Sequence, residues 1–124
     1  MLVVAAEPAI RALLVRIFRG DLEIVAAGTP AEAMALVHER RPDLAIIDVS
    51  HPERTALDLC RSLREELSSR SMPIVALTAR GLVAEAVAAR VAGADYLVEK
   101  PFSPSRLKEL VGAVLTRREQ TVTI

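Results

Sequence analysis

Five short apolar runs punctuate the chain, at residues 2–5, 23–27, 44–49, 74–78 and 96–98. Each is of strand length, and most carry Val or Ile. Their apolarity is continuous rather than alternating, which predicts strands covered on both faces, as in a parallel sheet. Between the runs the period changes to 3.6. Ile10, Leu13, Leu14, Ile17 and Phe18 share one helical face, with Arg11 and Arg19 off it. The second helix has a marked start. Thr29 is its N-cap, Pro30 takes the first helical position, and Glu32 completes a capping box. It runs to about Arg40, where Pro42 stops it. The third helix is predicted over roughly 57–67, with Leu59, Leu63 and Leu67 as its stripe, and 68–71 as a polar loop. The fourth, 82–92, is built of Ala and Val and ends at Gly93. The fifth starts at Ser103 and Pro104 and carries Leu107, Leu110, Val111, Val114 and Leu115. Arg117 and Arg118 are expected at its negative end. Residues 119–124 are expected to fray, leaving 1–118 as one domain.

Strand followed by helix, five times over, predicts an α/β fold: a doubly wound five-stranded parallel sheet with right-handed crossovers. Ligands on such sheets bind beyond the carboxyl ends of the strands. The residues standing there are Ala5, Ala6 and Glu7, then Asp48, then Thr78 and Ala79, then Lys100.

Composition narrows the function classes. A chain of 124 residues is long enough for one core. With 52% apolar but only 2% aromatic residues, that core must be aliphatic. Sixteen basic and sixteen acidic residues cancel, so no global field draws in nucleic acid or anionic lipid. Cys60 is the only cysteine, which excludes an internal disulfide and fits a reducing compartment. The apolar start is too short for a signal peptide and has no basic segment before it. No apolar run reaches membrane-spanning length. A cytoplasmic protein is expected.

Several stretches in register resemble the receiver domains of bacterial two-component systems. Leu2-Val3-Val4 followed by Glu7-Pro8-Ala9-Ile10-Arg11 is similar to the first strand and helix start. Arg41-Pro42-Asp43-Leu44-Ala45-Ile46-Ile47-Asp48 resembles the third strand, ending at the phospho-acceptor aspartate, with Pro52 four residues on. Pro73 to Ala79 resembles the fourth strand and its switch threonine. Ala92-Gly93-Ala94-Asp95 and Lys100-Pro101-Phe102 resemble the fifth strand and its lysine. The resemblance implies the flavodoxin-like strand order 2-1-3-4-5. It also implies a phosphorelay switch in which a histidine kinase phosphorylates Asp48 and Mg²⁺ assists. Thr78, Ala79 and Lys100 would bind the phosphoryl group.

The chain departs from that pattern where the family carries an acidic pair, because Ala5 and Ala6 stand there. Mg²⁺ needs hard oxygen ligands in near-octahedral geometry, and a methyl group offers none. The remaining metal candidates are Glu7, Asp48 and the position of Ser50. The expectation is an atypical receiver with weak Mg²⁺ binding, poor phosphorylation and no other cofactor. Asp48 and Lys100 are expected to rest as an ion pair. The family's switch aromatic falls on Leu97, with Tyr96 facing the other way. Ser50 and His51 replace the usual apolar pair after the acceptor, and Ala56 replaces a common glycine.

Other residues read more plainly. His51 is a loop residue, His38 lies on the polar face of its helix, and Cys60 is a structural thiol. Arg11, Arg16 and Arg19 form a solvated face. The fourth helix, fifth strand and fifth helix form the surface that receivers use for partners or dimerisation. Val83, Val87, Val91, Tyr96, Leu97, Leu107 and Val111 are its apolar material. The expected partners are proteins, a histidine kinase or a downstream signalling protein, rather than nucleic acid or membrane. Three readings remain: a quiet, non-enzymatic interaction module, a phosphorylatable receiver, and a flavin or nucleotide binder. The last lacks a glycine-rich loop after the first strand.

Overall fold

Leu2, Val3 and Val4 form the first strand, and all three are buried. The computed structural model describes residues 1–50 and 55–122. Its first half runs β1 (Leu2–Val4), α1 (Pro8–Phe18), β2 (Val25–Ala27), α2 (Pro30–Arg40) and β3 (Ala45–Asp48). The second half runs α3 (Thr55–Glu65), β4 (Ile74–Ala79), α4 (Val83–Ala92), β5 (Tyr96–Lys100) and α5 (Pro104–Val122). The strands form one five-stranded sheet in the order β2-β1-β3-β4-β5, with each neighbouring pair parallel.

Successive strand residues face opposite sides of a sheet, and here both sides are covered. Leu2, Val4, Ala45, Ile47, Ile74 and Ala76 pack beneath α2, α3 and α4. Val3, Ile46, Val75 and Leu77 pack beneath α1 and α5, against Leu14, Phe18, Leu107, Val111 and Val114. This two-sided burial is why the strand runs carry no polar alternation.

The Thr29 cap forms as expected. Its Oγ1 accepts from the Glu32 amide at 3.2 Å, while Glu32 Oε1 accepts from the Gly28 amide at 3.3 Å. Several boundaries differ from the expectation. β2 starts only at Val25, while β5 extends to Lys100 because it pairs with Thr78 and Ala79. α3 ends at Glu65, so Leu67 falls past its last turn and is 83% exposed rather than part of the stripe. Ser69 takes the inward place, donating to the Leu63 carbonyl at 2.6 Å. α5 continues to Val122, so Arg117 lies inside the helix rather than at its end.

Arg64 ties the far end of the sheet together. Nε donates to the Gly93 carbonyl at 2.9 Å, and Nη1 donates to the carbonyls of Met72 at 2.6 Å and Arg70 at 3.0 Å. Nη2 pairs with Asp95 at 2.5 Å, and Asp95 also accepts from the Ile74 amide. Among the described residues no helix is long and apolar enough to cross a membrane.

Candidate functional site

Parallel strands present all their carboxyl ends at one edge of the sheet. Asp48 closes β3, Ala79 closes β4 and Lys100 closes β5, while Ala5 follows β1. In register, Asp48 is level with Leu77, and Ala79 is level with Lys100.

Asp48 is only 6% exposed, so its charge needs partners. Lys100 Nζ donates to Oδ2 at 2.7 Å. Ser50 donates to Oδ1 twice, from Oγ at 2.6 Å and from its amide at 3.0 Å. Lys100 Nζ also donates to Ser50 Oγ at 2.7 Å. The three residues close a ring in which both carboxylate oxygens are engaged by charge-assisted bonds. The expected ion pair is therefore present, and Ser50 bridges it. The sequence marks Ser50 as a metal candidate and as a replacement for a usual apolar residue, but not as a partner of Asp48. The overlooked signal was a hydroxyl two residues past a buried acid, a spacing that favours local side-chain bonding.

Thr78 is buried at the end of β4. The Ala79 amide beyond it donates to Glu85 Oε1 of α4 at 2.7 Å. Sequence reasoning did not single out Glu85, although an acid in a first helical turn is a recognisable feature.

On the β1 side, Ala5 is fully buried, and Ala6 and Glu7 are exposed. Glu7 is the N-cap residue of α1 without a side-chain capping bond. Arg11 corrects an expectation. It does not lie on the solvated face with Arg16 and Arg19 but turns inward, and its Nη1 donates to the Ala5 carbonyl at 2.8 Å. Gly28 makes room for it, since a Cβ there would lie 2.5 Å from Nη1. The guanidinium thus satisfies the carbonyl that β1 leaves at its end.

At the end of β1, side chains 5 and 6 offer a magnesium ion no oxygen. Ala5 and Ala6 present methyl groups, and both oxygens of Asp48 are already bonded. Among the described residues no three His, Cys, Asp or Glu side chains gather as a metal site.

The expected partner face divides. Val83, Val87 and Val91 are 73%, 57% and 77% exposed along α4. Leu97 is half-buried and lines a groove with Leu82, Ala86 and Val87. Tyr96 packs on the opposite side of the sheet, and its hydroxyl accepts from Arg117 at 2.9 Å. Leu107 and Val111 are core instead, at 2% and 1% exposure, because the apolar stripe of α5 faces the sheet. His51 and Pro52 lie outside the described residues. His38 is exposed and bonds Glu66 at 2.5 Å. Cys60 is buried, and burial pushes its thiol up to about 11.

The geometry has close relatives. The response regulator receiver domain model matches residues 1–112. The DNA-binding response regulator MtrA of Mycolicibacterium smegmatis is 36% identical over 120 residues, covering 96% of this chain and 51% of MtrA. The phosphate regulon transcriptional regulatory protein PhoB of Rhizobium meliloti is 42% identical over 91 residues, covering 73% of this chain and 40% of PhoB. The chain thus spans about half the length, or less, of these curated relatives. Among solved structures, the receiver domain of NtrX from Brucella abortus superposes with a TM-score of 0.83 at 29% identity, covering 93% of this chain and 97% of that one. With its sheet order, its strand-end aspartate and lysine, and these matches, the chain belongs to the response regulator receiver domain family of two-component signalling.

Proposed function

We propose that this receiver domain acts as a protein-interaction module whose Asp48 undergoes little or no magnesium-dependent phosphorylation. The observation that carries this reading is the ring of Asp48, Ser50 and Lys100 standing beside two alanines. Phosphoryl transfer requires charge on the equatorial oxygens to be neutralised, a role metal ions usually fill. Here the methyl groups of Ala5 and Ala6 supply no ligand. An incoming phosphoryl group would also have to displace Ser50 or Lys100 from the acceptor.

Signalling then runs through surfaces. The exposed valines of α4 supply apolar area for a protein partner, either a histidine kinase, a downstream signalling protein or a second copy docking on α4, β5 and α5. The domain itself performs no catalysis, needs no cofactor, and binds neither nucleic acid nor membrane. Its setting is the bacterial cytoplasm.

The test is incubation of the protein with phosphoramidate and Mg²⁺, read by intact mass. The expected result is an unshifted mass. A gain of one phosphoryl group, lost in Asp48→Asn, would instead establish a phosphorylatable receiver that accepts from a histidine kinase.

A further inference from the structure

We propose that Glu85 is a built-in stand-in for a phosphoryl oxygen, fixing the first turn of α4 to the site without phosphorylation. This rests on the reading of Thr78, Ala79 and Lys100 as a phosphate cradle, and it says why that cradle stays quiet. The Ala79 amide sits directly past the buried Thr78, level with Lys100 on the neighbouring strand. It is a donor placed to meet an anion at this edge. Glu85 Oε1 already fills that place, at 2.7 Å in a partly buried setting.

The contact spans a loop. Ala79 ends β4, Arg80 to Leu82 turn away, and Glu85 stands in the first turn of α4. Glu85 therefore reaches back over the loop and staples helix to strand. A negative charge in a first turn is also favoured by the helix dipole, so the carboxylate is held from two sides. Lys100 and the Ser50 amide are taken by Asp48 in the same way. Each of these three donors is thus engaged by a carboxylate of this chain.

Nitrogen-15 correlation NMR on the full chain tests the proposal, with hydrogen exchange at Ala79 and a titration with inorganic phosphate. In the wild-type protein the Ala79 amide should exchange slowly and ignore phosphate. In Glu85→Ala the exchange should accelerate by about tenfold or more, and phosphate should then shift the Ala79, Ser50 and Lys100 signals. Glu85→Gln, which keeps an acceptor without charge, should fall between the two and serves if the alanine variant does not fold. An Ala79 amide indifferent to both substitutions overturns the proposal. Faster exchange with no gained phosphate response also overturns it, reducing the contact to a helix-start hydrogen bond. The two readings fail separately. A phosphorylated wild-type mass with Ala79 responding to Glu85→Ala as described sinks only the quiet-module function. An unshifted mass with an unresponsive Ala79 sinks only the inference.

Discussion

Lys100 and Asp48 are 52 residues apart in sequence, and their side chains meet at 2.7 Å over the end of the strand between them. β3 and β5 both flank β4, so their backbones are about 10 Å apart. Only a long side chain bridges that gap. The pair, with Ser50 closing the ring, sets the resting state of the site.

Removing the ammonium leaves a carboxylate that is nearly buried, with Ser50 as its remaining donor in the ring. Lys100→Met is expected to cost about 3 kcal/mol. Asp48→Asn should cost about 1 kcal/mol, since the lysine is 23% exposed and can turn to water. Urea unfolding of the two variants measures the order, and a larger loss in Asp48→Asn contradicts the account of the ring.

Restoring oxygen at the end of β1 should restore metal affinity. Ala6 is exposed, so Ala6→Asp alone should change stability by under about 0.5 kcal/mol. Ala5 is fully buried, so Ala5→Asp should destabilise the metal-free protein by about 2 kcal/mol, with part of the loss recovered on adding Mg²⁺. Calorimetric titration should show the double variant binding Mg²⁺ at least about tenfold more tightly than the parent. Equal affinities would mean that the alanines are not what limits the pocket.

Cys60 makes stability depend on pH in the alkaline range. Its folded thiol titrates at about 11, against 9.0 when free. A group whose folded value is raised contributes stability that is complete below the unfolded value and lost as pH rises toward the folded one. The loss should therefore fall between about pH 9 and 11, at no more than about 1.4 kcal/mol per pH unit. The difference between wild type and Cys60→Ala in urea midpoint, followed from pH 8 upward, should stay flat and then narrow. A gap that widens above pH 9 is the wrong sign and removes the argument.

Arg64→Ala should be among the most damaging single changes, at about 3 kcal/mol, because it strands the Met72 and Gly93 carbonyls. Arg64→Lys should recover only part, since an ammonium cannot span the same fork of acceptors. Gly93→Ala should be destabilising too. Its φ is +120°, and the new methyl would meet Arg64 Cγ at 2.5 Å. Thermal melts that leave Arg64→Ala unchanged would refute the clamp.

The α4 stripe separates surface from core. Val87→Glu should leave the melting temperature unchanged while weakening any self-association seen by sedimentation, as Val87 is 57% exposed. Leu107→Ala should do the reverse, costing about 3 kcal/mol through the cavity it opens. Loss of stability in Val87→Glu with unaltered sedimentation would assign the valine to packing instead.

Much of the architecture was legible along the chain because its causes are local. A Thr-Pro-x-Glu start and a Gly93 stop act within one turn. Uninterrupted apolar runs such as Ile74 to Leu77 declare burial on both faces wherever the strand ends up. The alanines at 5 and 6 likewise state by themselves that no carboxylate stands at either position.

What tertiary structure alone decided are the contacts made by long side chains between distant elements. Arg11 reads as surface from its helical position, yet it turns in to the Ala5 carbonyl because Gly28, on another strand's loop, leaves it room. Leu67 keeps the spacing of its stripe, but the helix ends two residues before it. Leu107 and Val111 could have faced a partner, and only the placement of α5 against the sheet buries them. Periodicity gives the direction of a side chain relative to its own element. Where that element docks, and which donor then meets which acceptor, is set by packing across the whole sheet.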